Sequence, residues 1–140
     1  MKNPPASQTT TRRSFIKKSA LAASFPLIVP SSVLGLGEST APSNRIVLGG
    51  IGLGKRGRKV LSCFLPQSGC QFVGIADPQK LRRTHVKNTV DRAYQNRDCA
   101  VYGDMGDILT RDDIDAVIIA TGDRWHTTAS IYAARAGKDI

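Results

Sequence analysis

The stretch IVLGGIGLGKRG, Ile46 to Gly57, places five glycines in twelve positions directly after three apolar residues. The β-branched run from Arg45 to Ile51 predicts a strand that is buried on both faces. The run from Lys55 to Leu65 then predicts a helix, which Pro66 ends. A glycine-rich turn between a strand and a helix lets backbone N–H groups approach a ligand closely.

The segment GLGKRG, residues 52–57, has the pattern GxGxxG at the first turn of a predicted β-α-β unit. In this pattern the first glycine permits a tight turn, the second lets the backbone approach a pyrophosphate, and the third lets helix and strand pack closely. The N-terminus of the helix adds a partial positive charge that favours a phosphate. The residues predicted to bind a dinucleotide here are Gly52, Leu53, Gly54, Arg56 and Gly57.

A second signal for a dinucleotide is Asp77, which lies twenty residues after Gly57 and ends the second predicted strand, Cys70–Ala76. A carboxylate at this place accepts hydrogen bonds from the adenosine ribose and prefers a free 2′-OH to a 2′-phosphate. NAD is therefore the predicted cofactor. The alternative for Asp77 is a cap for the next helix ahead of Pro78, and one carboxylate can serve both roles.

Basic residues close behind this carboxylate keep NADP open as a second cofactor. Lys80, Arg82 and Arg83 lie in the next predicted helix, Gln79–Tyr94. A cation beside the ribose can accommodate a 2′-phosphate. NADP is therefore disfavoured by Asp77 and still open.

Strands and helices alternate along the rest of the chain. Strands are predicted at Ala100–Tyr102 and Ala116–Thr121, helices at Asp104–Leu109 and Thr127–Ala136, and a further strand begins at Lys138. This alternation predicts an α/β fold, a Rossmann-type open parallel sheet with helices on both faces. We expect the sheet to be incomplete at the C-terminus.

Residues 1–41 have the composition of an export signal and a linker. The run TRRSFIK, residues 11–17, resembles the twin-arginine pattern, which is read by a translocation machinery that carries folded proteins. The apolar stretch Ala20–Val29 is about half as long as the roughly twenty residues that cross a bilayer, so no permanent membrane span is expected. The predicted destination is the periplasm or the outside of the cell. The alternative is an amphipathic tail with a chance Arg-Arg pair.

The formal net charge of +9 raises the question of a nucleic-acid partner. Five basic residues and only one acid lie before Pro42, so almost half of the excess belongs to the leader. The remaining charge lacks the basic stripe and interleaved aromatic residues of a nucleic-acid surface. We therefore expect no nucleic acid as a partner.

Cys63, Cys70 and Cys99 lack a metal-ligand pair such as CxxC, and no metal site is predicted. A protein that folds before export first meets a reducing compartment, so we expect buried free thiols. His85 is expected to be a solvated helix residue.

These motifs, in this order and spacing, resemble the amino-terminal part of the Gfo/Idh/MocA oxidoreductases, the family of glucose-fructose oxidoreductase and inositol dehydrogenase. The resemblance runs from about Asn44 to Ile140. It rests on NRIVLGGIGLGKRGRKVL, FVGIADPQK, YGDMGDIL, DIDAVIIATGDRWH and AARAGKDI. The twin-arginine leader suits the exported branch of that family.

In that family the segment after the fourth strand usually reads Thr-Pro-Asp-His-Trp-His and lies beside the nicotinamide half of the cofactor. This chain reads TGDRWH there, so the resemblance implies cofactor contacts for Thr121, Trp125 and His126. Gly122 and Arg124 depart from the pattern and leave the shape of this loop open. The alternatives are helix-start polarity for His126 and packing against the sheet for Trp125.

The resemblance implies an NAD(P)-dependent oxidoreductase that acts on a sugar or cyclitol. Some relatives are glycosidases that oxidise a sugar transiently and reduce it again, so an NAD-dependent glycosidase is one alternative, and a non-catalytic dinucleotide-binding protein is another. The family's catalytic lysine lies in a Glu-Lys-Pro motif beyond the segment ending AGKD, so we assign no catalytic residue. We expect residues 42–140 to be a truncated NAD(P)-binding Rossmann domain without the substrate domain. The complete protein is expected to bind a sugar-like small molecule and to be a homo-oligomer.

Overall fold

The computed structural model describes residues 40–140, so the predicted export signal lies outside the described residues. A 3-10 turn at Pro42–Asn44 leads into the sheet. The strands are β1 Ile46–Ile51, β2 Cys70–Ala76, β3 Ala100–Tyr102 and β4 Ala116–Ile119, and the helices are α1 Lys55–Phe64, α2 Lys80–Tyr94, α3 Met105–Leu109 and α4 Asp123–Arg135. Among these residues no helix combines the length and the apolar character that a membrane crossing requires.

The four strands form one parallel sheet in the order β3-β2-β1-β4. Beyond β4, Asp139 continues the sheet, because its N–H donates to Asp115 O at 3.0 Å and its carbonyl accepts from Val117 N at 2.8 Å. Strands β2 and β4 therefore lie on opposite sides of β1, so the strand order reverses there, as a dinucleotide-binding fold requires. The predicted Rossmann-type open sheet is confirmed.

Strand β1 lies in the middle of the sheet and is covered closely on both faces. A methyl group at Gly49 would lie 3.1 Å from Ile108 Cδ1 on one face, and one at Gly50 would lie 2.8 Å from Phe72 Cζ on the other. One apolar core includes Leu48, Leu61, Phe72, Ile75, Val86 and Val90, and the other includes Ile51, Ile108, Leu109, Ile114, Val117, Ala129 and Ala133. Helices α1 and α2 pack against the sheet in the first core, and helices α3 and α4 pack against it in the second.

Helix α4 begins at Asp123, four residues before the predicted start at Thr127. Gly122 is its N-cap in an extended conformation, and its carbonyl accepts the N–H of Trp125 at 2.9 Å and of His126 at 3.1 Å. The acidic side chain in the first turn complements the positive end of the helix. The predicted strand to Thr121 was likewise too long, since β4 ends at Ile119. Trp125 and His126 therefore belong to a helix and not to a loop.

The helical spacing of apolar residues predicts that Phe64 in α1 and Tyr132 in α4 face the sheet, and this is wrong. Phe64 and Tyr132 are exposed, whereas Leu61 in α1 and Ala129 and Ala133 in α4 are buried. Ala129 and Ala133 are the residues of α4 that are buried against the sheet, whereas Tyr132, one position before Ala133, is on the outer side. Periodicity alone identified the helices without deciding which residues reach the core.

The three cysteines are free, as predicted, and only Cys99 is buried. Cys63 lies on the outer side of α1 and Cys70 is half-buried, so the prediction of buried thiols was wrong for Cys63. Burial raises the pKa of the Cys99 thiol to about 11. His85 is exposed on α2, as expected.

Candidate cofactor-binding site

The loops after β1, β2 and β4 meet at one edge of the sheet. Gly52 N donates to Ala76 O at 2.8 Å, which ties the turn after β1 to the end of β2 beside Asp77. On its other side Gly52 packs against Thr121, so closely that a methyl group at Gly52 would lie 2.4 Å from Thr121 Cγ2. Gly52 thus separates two predicted site residues that are 44 positions apart in sequence.

The turn itself depends on Gly52. Its φ of +67° lies in the left-handed region that side chains disfavour. Gly54 N donates to Gly52 O at 2.8 Å and tightens the turn. Leu53 points its side chain into the core and is fully buried, so only its backbone is available to a ligand.

Gly54 differs from Gly52 and Gly57, the other glycines of the motif, because no main-chain or core atom lies close to the space beside it. It is the N-cap of α1 with φ −66° and ψ −159°, an extended conformation that any residue adopts. A methyl group there would have only Arg82 nearby, with Nη1 at 3.9 Å and Cζ at 4.0 Å. Neither packing nor backbone strain requires a glycine at this place, whereas a ligand lying against the helix start would.

Gly57 has the opposite surroundings. A methyl group there would lie 2.7 Å from Ala120 Cβ and 2.8 Å from Leu53 Cδ2. The third glycine therefore lets α1 lie close against the sheet, which is the packing predicted from the motif. Arg56, one residue earlier, is exposed in the first turn of α1.

Asp77 is the one buried charged residue in the described part of the chain, with 1% of its surface exposed. Its Oδ1 accepts the N–H of Gln79 at 2.8 Å, so the carboxylate holds the N-cap residue of α2 without itself being the cap. Its Oδ2 has no hydrogen-bond partner, and the nearest cation, Arg82 Nη1, is 3.8 Å away. One oxygen therefore serves the helix while the other is left for a ligand.

Thr121 Oγ1 is also buried without a hydrogen-bond partner. Within residues 40–140, it and Asp77 Oδ2 are the two buried side-chain polar atoms in this condition. Buried polar atoms in proteins almost always have a partner. Two such atoms on either side of one glycine turn indicate a place where ligand hydroxyl or amide groups complete the hydrogen bonding.

Trp125 and His126 lie in the first turn of α4, just beyond Thr121. The indole is 58% exposed, so its packing against the sheet, the alternative considered above, is wrong. His126 is exposed as well. The N-cap of α4 makes no side-chain hydrogen bond, and the same is true of α1. The N-termini of α1 and α4, whose first N–H groups have no side-chain cap, therefore lie at the same edge of the sheet.

Comparison with known proteins agrees with this geometry. The family model of the Gfo/Idh/MocA proteins, described as an oxidoreductase family with an NAD-binding Rossmann fold, matches residues 46–140. The chain belongs to this family. It is an NAD(P)-binding Rossmann domain of that oxidoreductase family, as its sequence motifs predicted.

One curated relative of this family member is a glycosyl hydrolase family 109 protein of Solibacter usitatus. The two are 27% identical over 139 residues, which cover 94% of this chain and 32% of the relative. The chain therefore spans about a third of the length of that relative.

Two solved structures of similar fold contain different cofactors. A scyllo-inositol dehydrogenase from Lactobacillus casei, solved with NAD(H) and scyllo-inositol, has a TM-score of 0.58 at 22% identity, over 67% of this chain and 26% of that chain. A 3-ketoreductase from Actinomadura kijaniata, solved with NADP, has a TM-score of 0.58 at 25% identity, over 68% of this chain and 27% of that chain. The first similarity concerns the fold alone. The preference of this chain for one of the two nucleotides depends on its own residues beside the ribose.

The residues present fit a dinucleotide at three points. The open space at Gly54 would receive a phosphate, the free oxygen of Asp77 would accept hydrogen bonds from ribose hydroxyls, and the helix start of α1 would offer N–H groups to negative charge. At each point an atom lacks a hydrogen-bond partner within the protein, or a space is not filled by its side chains. The chemistry of the donor set therefore agrees with the family.

Sequence reasoning missed Ala120, whose methyl group lies against α1 at Gly57. A larger side chain there would push the helix away from the sheet. The only signal in the sequence was that a small residue ends the apolar run AVII. The contact between Gly52 and Thr121 could not be predicted from the sequence around either residue.

Proposed function

We propose that residues 42–140 form the cofactor-binding domain of an exported enzyme that transfers a hydride between NAD(P) and a sugar or cyclitol. The observation that supports this best is the pair of unpartnered buried atoms, Asp77 Oδ2 and Thr121 Oγ1, on either side of Gly52. A dinucleotide that crosses the turn would supply partners to both. The whole protein, its substrate and its destination are part of the proposal.

The nicotinamide cofactor, when bound, supplies the hydride donor or acceptor. The backbone at Gly54 and the start of α1 hold the pyrophosphate, and Asp77 orients the adenosine ribose. Thr121, Trp125 and His126 border the nicotinamide half on the side of β4. The described residues thus bind and orient the cofactor, and the proton-transfer group and substrate pocket belong to another part of the protein.

A second candidate is an NAD-dependent glycosidase of the same superfamily. The relatives named glycosyl hydrolase family 109 proteins favour it, including one from Shewanella putrefaciens that is 38% identical over 118 residues, 76% of this chain and 24% of the relative. In such a reaction the sugar is oxidised transiently and reduced again, so no net NADH accumulates. The same cofactor site serves both reactions.

Cofactor binding is tested by titrating the 140-residue chain with NAD and following the fluorescence of its single tryptophan, Trp125. We expect a saturable change in emission, because this indole is exposed beside the predicted nicotinamide position. Absence of saturable binding by both NAD and NADP would overturn the proposal.

The reaction class is tested with a protein extended beyond Ile140 through the domain that follows. Net NADH formation from free sugars supports the oxidoreductase, and glycoside cleavage without net NADH supports the glycosidase. Residues 42–140 alone should transfer no hydride with any sugar, because they contain no assigned proton-transfer group. Measurable turnover by them would show that the chemistry lies in this domain.

A further inference from the structure

The outer surface of α1 and α2 carries an unbalanced positive charge. In linear order its cations form no single stripe, but the fold places both helices over the same apolar core, on one face of the sheet. The exposed cations of these two helices are Lys55, Arg56, Lys59, Lys80, Arg82 and Arg92. The one acidic residue of the two helices, Asp91, is partly buried and forms an ion pair with Lys87. We call this exposed surface of α1 and α2 the basic face.

The opposite side of the sheet differs in charge. Helices α3 and α4 and the loops that adjoin them expose the acids Asp104, Asp107, Asp112, Asp113 and Asp123. The exposed cations on that side are Arg124 and Arg135. Charge of opposite sign on the two sides gives the described domain a field that turns the basic face toward an anionic surface.

Helix stability does not account for the basic face. Lys55 and Lys59 are four residues apart on α1, and like charges at this spacing destabilise a helix. Within residues 40–140 neither of them forms an ion pair, and the same is true of Arg92. These cations therefore remain available to an external anion.

The predicted cofactor does not account for the whole basic face either. A dinucleotide would lie at the starts of α1 and α2, whereas Arg92 lies in the last turn of α2. At 1.5 Å per residue, Arg92 is about 18 Å along the helix from Lys80. This is more than the Debye length of about 8–10 Å, so phosphates of the cofactor would not neutralise it.

Leu81 projects from the middle of this positive charge. It is 85% exposed, the most of any large apolar residue in the described part of the chain, and a cation precedes and follows it. Helical spacing places Leu81 and Arg92 on the outermost ridge of α2, opposite the buried Val86 and Val90. A soluble polyanion would pair with the cations and leave this leucine in water. An anionic lipid surface accommodates both kinds of side chain.

The positions of the aromatic side chains favour lipid over nucleic acid. The exposed tryptophan and tyrosine of the described residues, Trp125 and Tyr132, lie on α4, away from the basic face. Proteins that bind single-stranded nucleic acid interleave such rings with their cations, because bases stack on them.

We propose that the basic face is a docking surface for a membrane that contains anionic lipid headgroups. The headgroups pair with Lys59, Lys80 and Arg92, whose long side chains reach into the interface. Leu81 enters the boundary between headgroups and acyl chains. The acidic side with α3 and α4 then points away from the membrane. This goes beyond the proposed function, because it concerns a surface outside the cofactor site.

The charge is tested by co-sedimentation of the 140-residue chain with vesicles of phosphatidylcholine, alone or with about a quarter of phosphatidylglycerol. The variant is Lys59→Gln/Arg92→Gln. Its matched control is Arg124→Gln/Arg135→Gln, which removes the same charge from α4. Residues 1–39 are the same in all these proteins, so their contribution to binding cancels in the comparison. Far-UV circular dichroism checks that each variant is folded.

The chain should bind the anionic vesicles and not the neutral ones. Lys59→Gln/Arg92→Gln should weaken this binding about tenfold or more, since each cation at an anionic surface changes affinity about fivefold. The α4 control should change it far less, because its cations face away from the membrane by more than a Debye length. If the double variant does not fold, Arg92→Gln alone is compared with Arg135→Gln.

The leucine is tested by Leu81→Ser, with Ile131→Ser on α4 as the matched control, since Ile131 is also exposed. Leu81→Ser should weaken binding to anionic vesicles about fivefold or more, the loss expected for one buried leucine side chain. Ile131→Ser should leave the binding unchanged.

The orientation is tested by fluorescence, because Trp125 is the single tryptophan. Brominated phosphatidylglycerol should leave the emission of Trp125 unquenched in the bound protein. It should quench the indole that Leu81→Trp introduces in a Trp125→Phe background.

Three results would overturn the proposal. The first is equal binding to neutral and anionic vesicles, or binding to neither. The second is an equal loss of binding in the basic-face variant and its α4 control. The third is binding to duplex RNA that Lys59→Gln/Arg92→Gln weakens and Leu81→Ser leaves unchanged, together with unchanged vesicle binding by Leu81→Ser. That result would assign the basic face to a nucleic acid instead.

Discussion

Replacing Gly54 by valine is expected to abolish dinucleotide binding while the domain stays folded. The valine side chain would occupy the open space at the start of α1, where the pyrophosphate must lie. Its first atom would meet only Arg82 Nη1 at 3.9 Å, which is an ordinary van der Waals contact. The backbone at φ −66° and ψ −159° accepts any residue, so no strain follows.

The cost to folding comes from the helix cap alone. Glycine is a better N-cap than valine, and we estimate the loss at about 1 kcal/mol. In a domain of this size such a loss lowers Tm by roughly 4–8 °C. The loss of binding should be complete, because a branched side chain and a phosphate cannot share the same space.

Gly57→Ala is the matched control, with a smaller side chain in a closed space. Its methyl group would lie 2.7 Å from Ala120 Cβ and 2.8 Å from Leu53 Cδ2, so helix and sheet must separate slightly. Overpacking of this kind costs about 1–3 kcal/mol. The smaller substitution should therefore destabilise the domain more than the larger one at Gly54.

Thermal unfolding by circular dichroism and NAD titration by calorimetry measure both effects on the same samples. A folded Gly54→Val protein with unchanged NAD affinity would refute the placement of the pyrophosphate. A Gly54→Val protein that is less stable than the Gly57→Ala protein would contradict the conclusion that the space beside Gly54 is open and the space beside Gly57 is filled.

Three further predictions follow from other residues. Asp77→Ala should weaken NAD binding by about tenfold or more, because a buried charged acceptor is lost, and should reduce discrimination against NADP. Asp112→Ala, at an exposed position, is the control in the same titration. An unchanged ratio of NAD to NADP affinity in Asp77→Ala would contradict the ribose role. Replacing both Arg12 and Arg13 by lysine should leave the protein in the cytoplasm, because the export receptor recognises arginine and not charge alone. Cell fractionation that finds normal export of this variant would refute the export prediction. Burial raises the pKa of Cys99 from its ordinary 9.0 to about 11, so its contribution to stability is complete below pH 9 and is lost as the pH rises toward 11. Cys99→Ala should flatten the fall in the free energy of unfolding over that range, and identical pH profiles from urea unfolding would count against this cause.

The sequence alone predicted the order of strands and helices, because hydrophobic periodicity and helix-ending residues are local properties of the chain. The bounds of β2 at Cys70–Ala76 and of β3 at Ala100–Tyr102 are confirmed. The start of α4 was wrong, since the extended backbone of Gly122 and its bonds to the next turn decide where the helix begins. The cap role of Asp77 was open in the sequence and is wrong, because Gln79 is the N-cap of α2 and Asp77 Oδ1 accepts the Gln79 N–H in the turn before the helix.

The tertiary structure alone decided what each glycine of the motif does. Gly54 and Gly57 are three residues apart and identical in chemistry, yet Gly54 faces open space and Gly57 faces the methyl group of Ala120, the residue after β4. It also brought Thr121 against Gly52 and Arg82 between Asp77 and Gly54. These contacts join segments far apart in sequence, and their distances depend on how closely each helix packs on the sheet. A local pattern can therefore name the residues of such a site, while packing between distant segments determines which atoms remain open to a ligand.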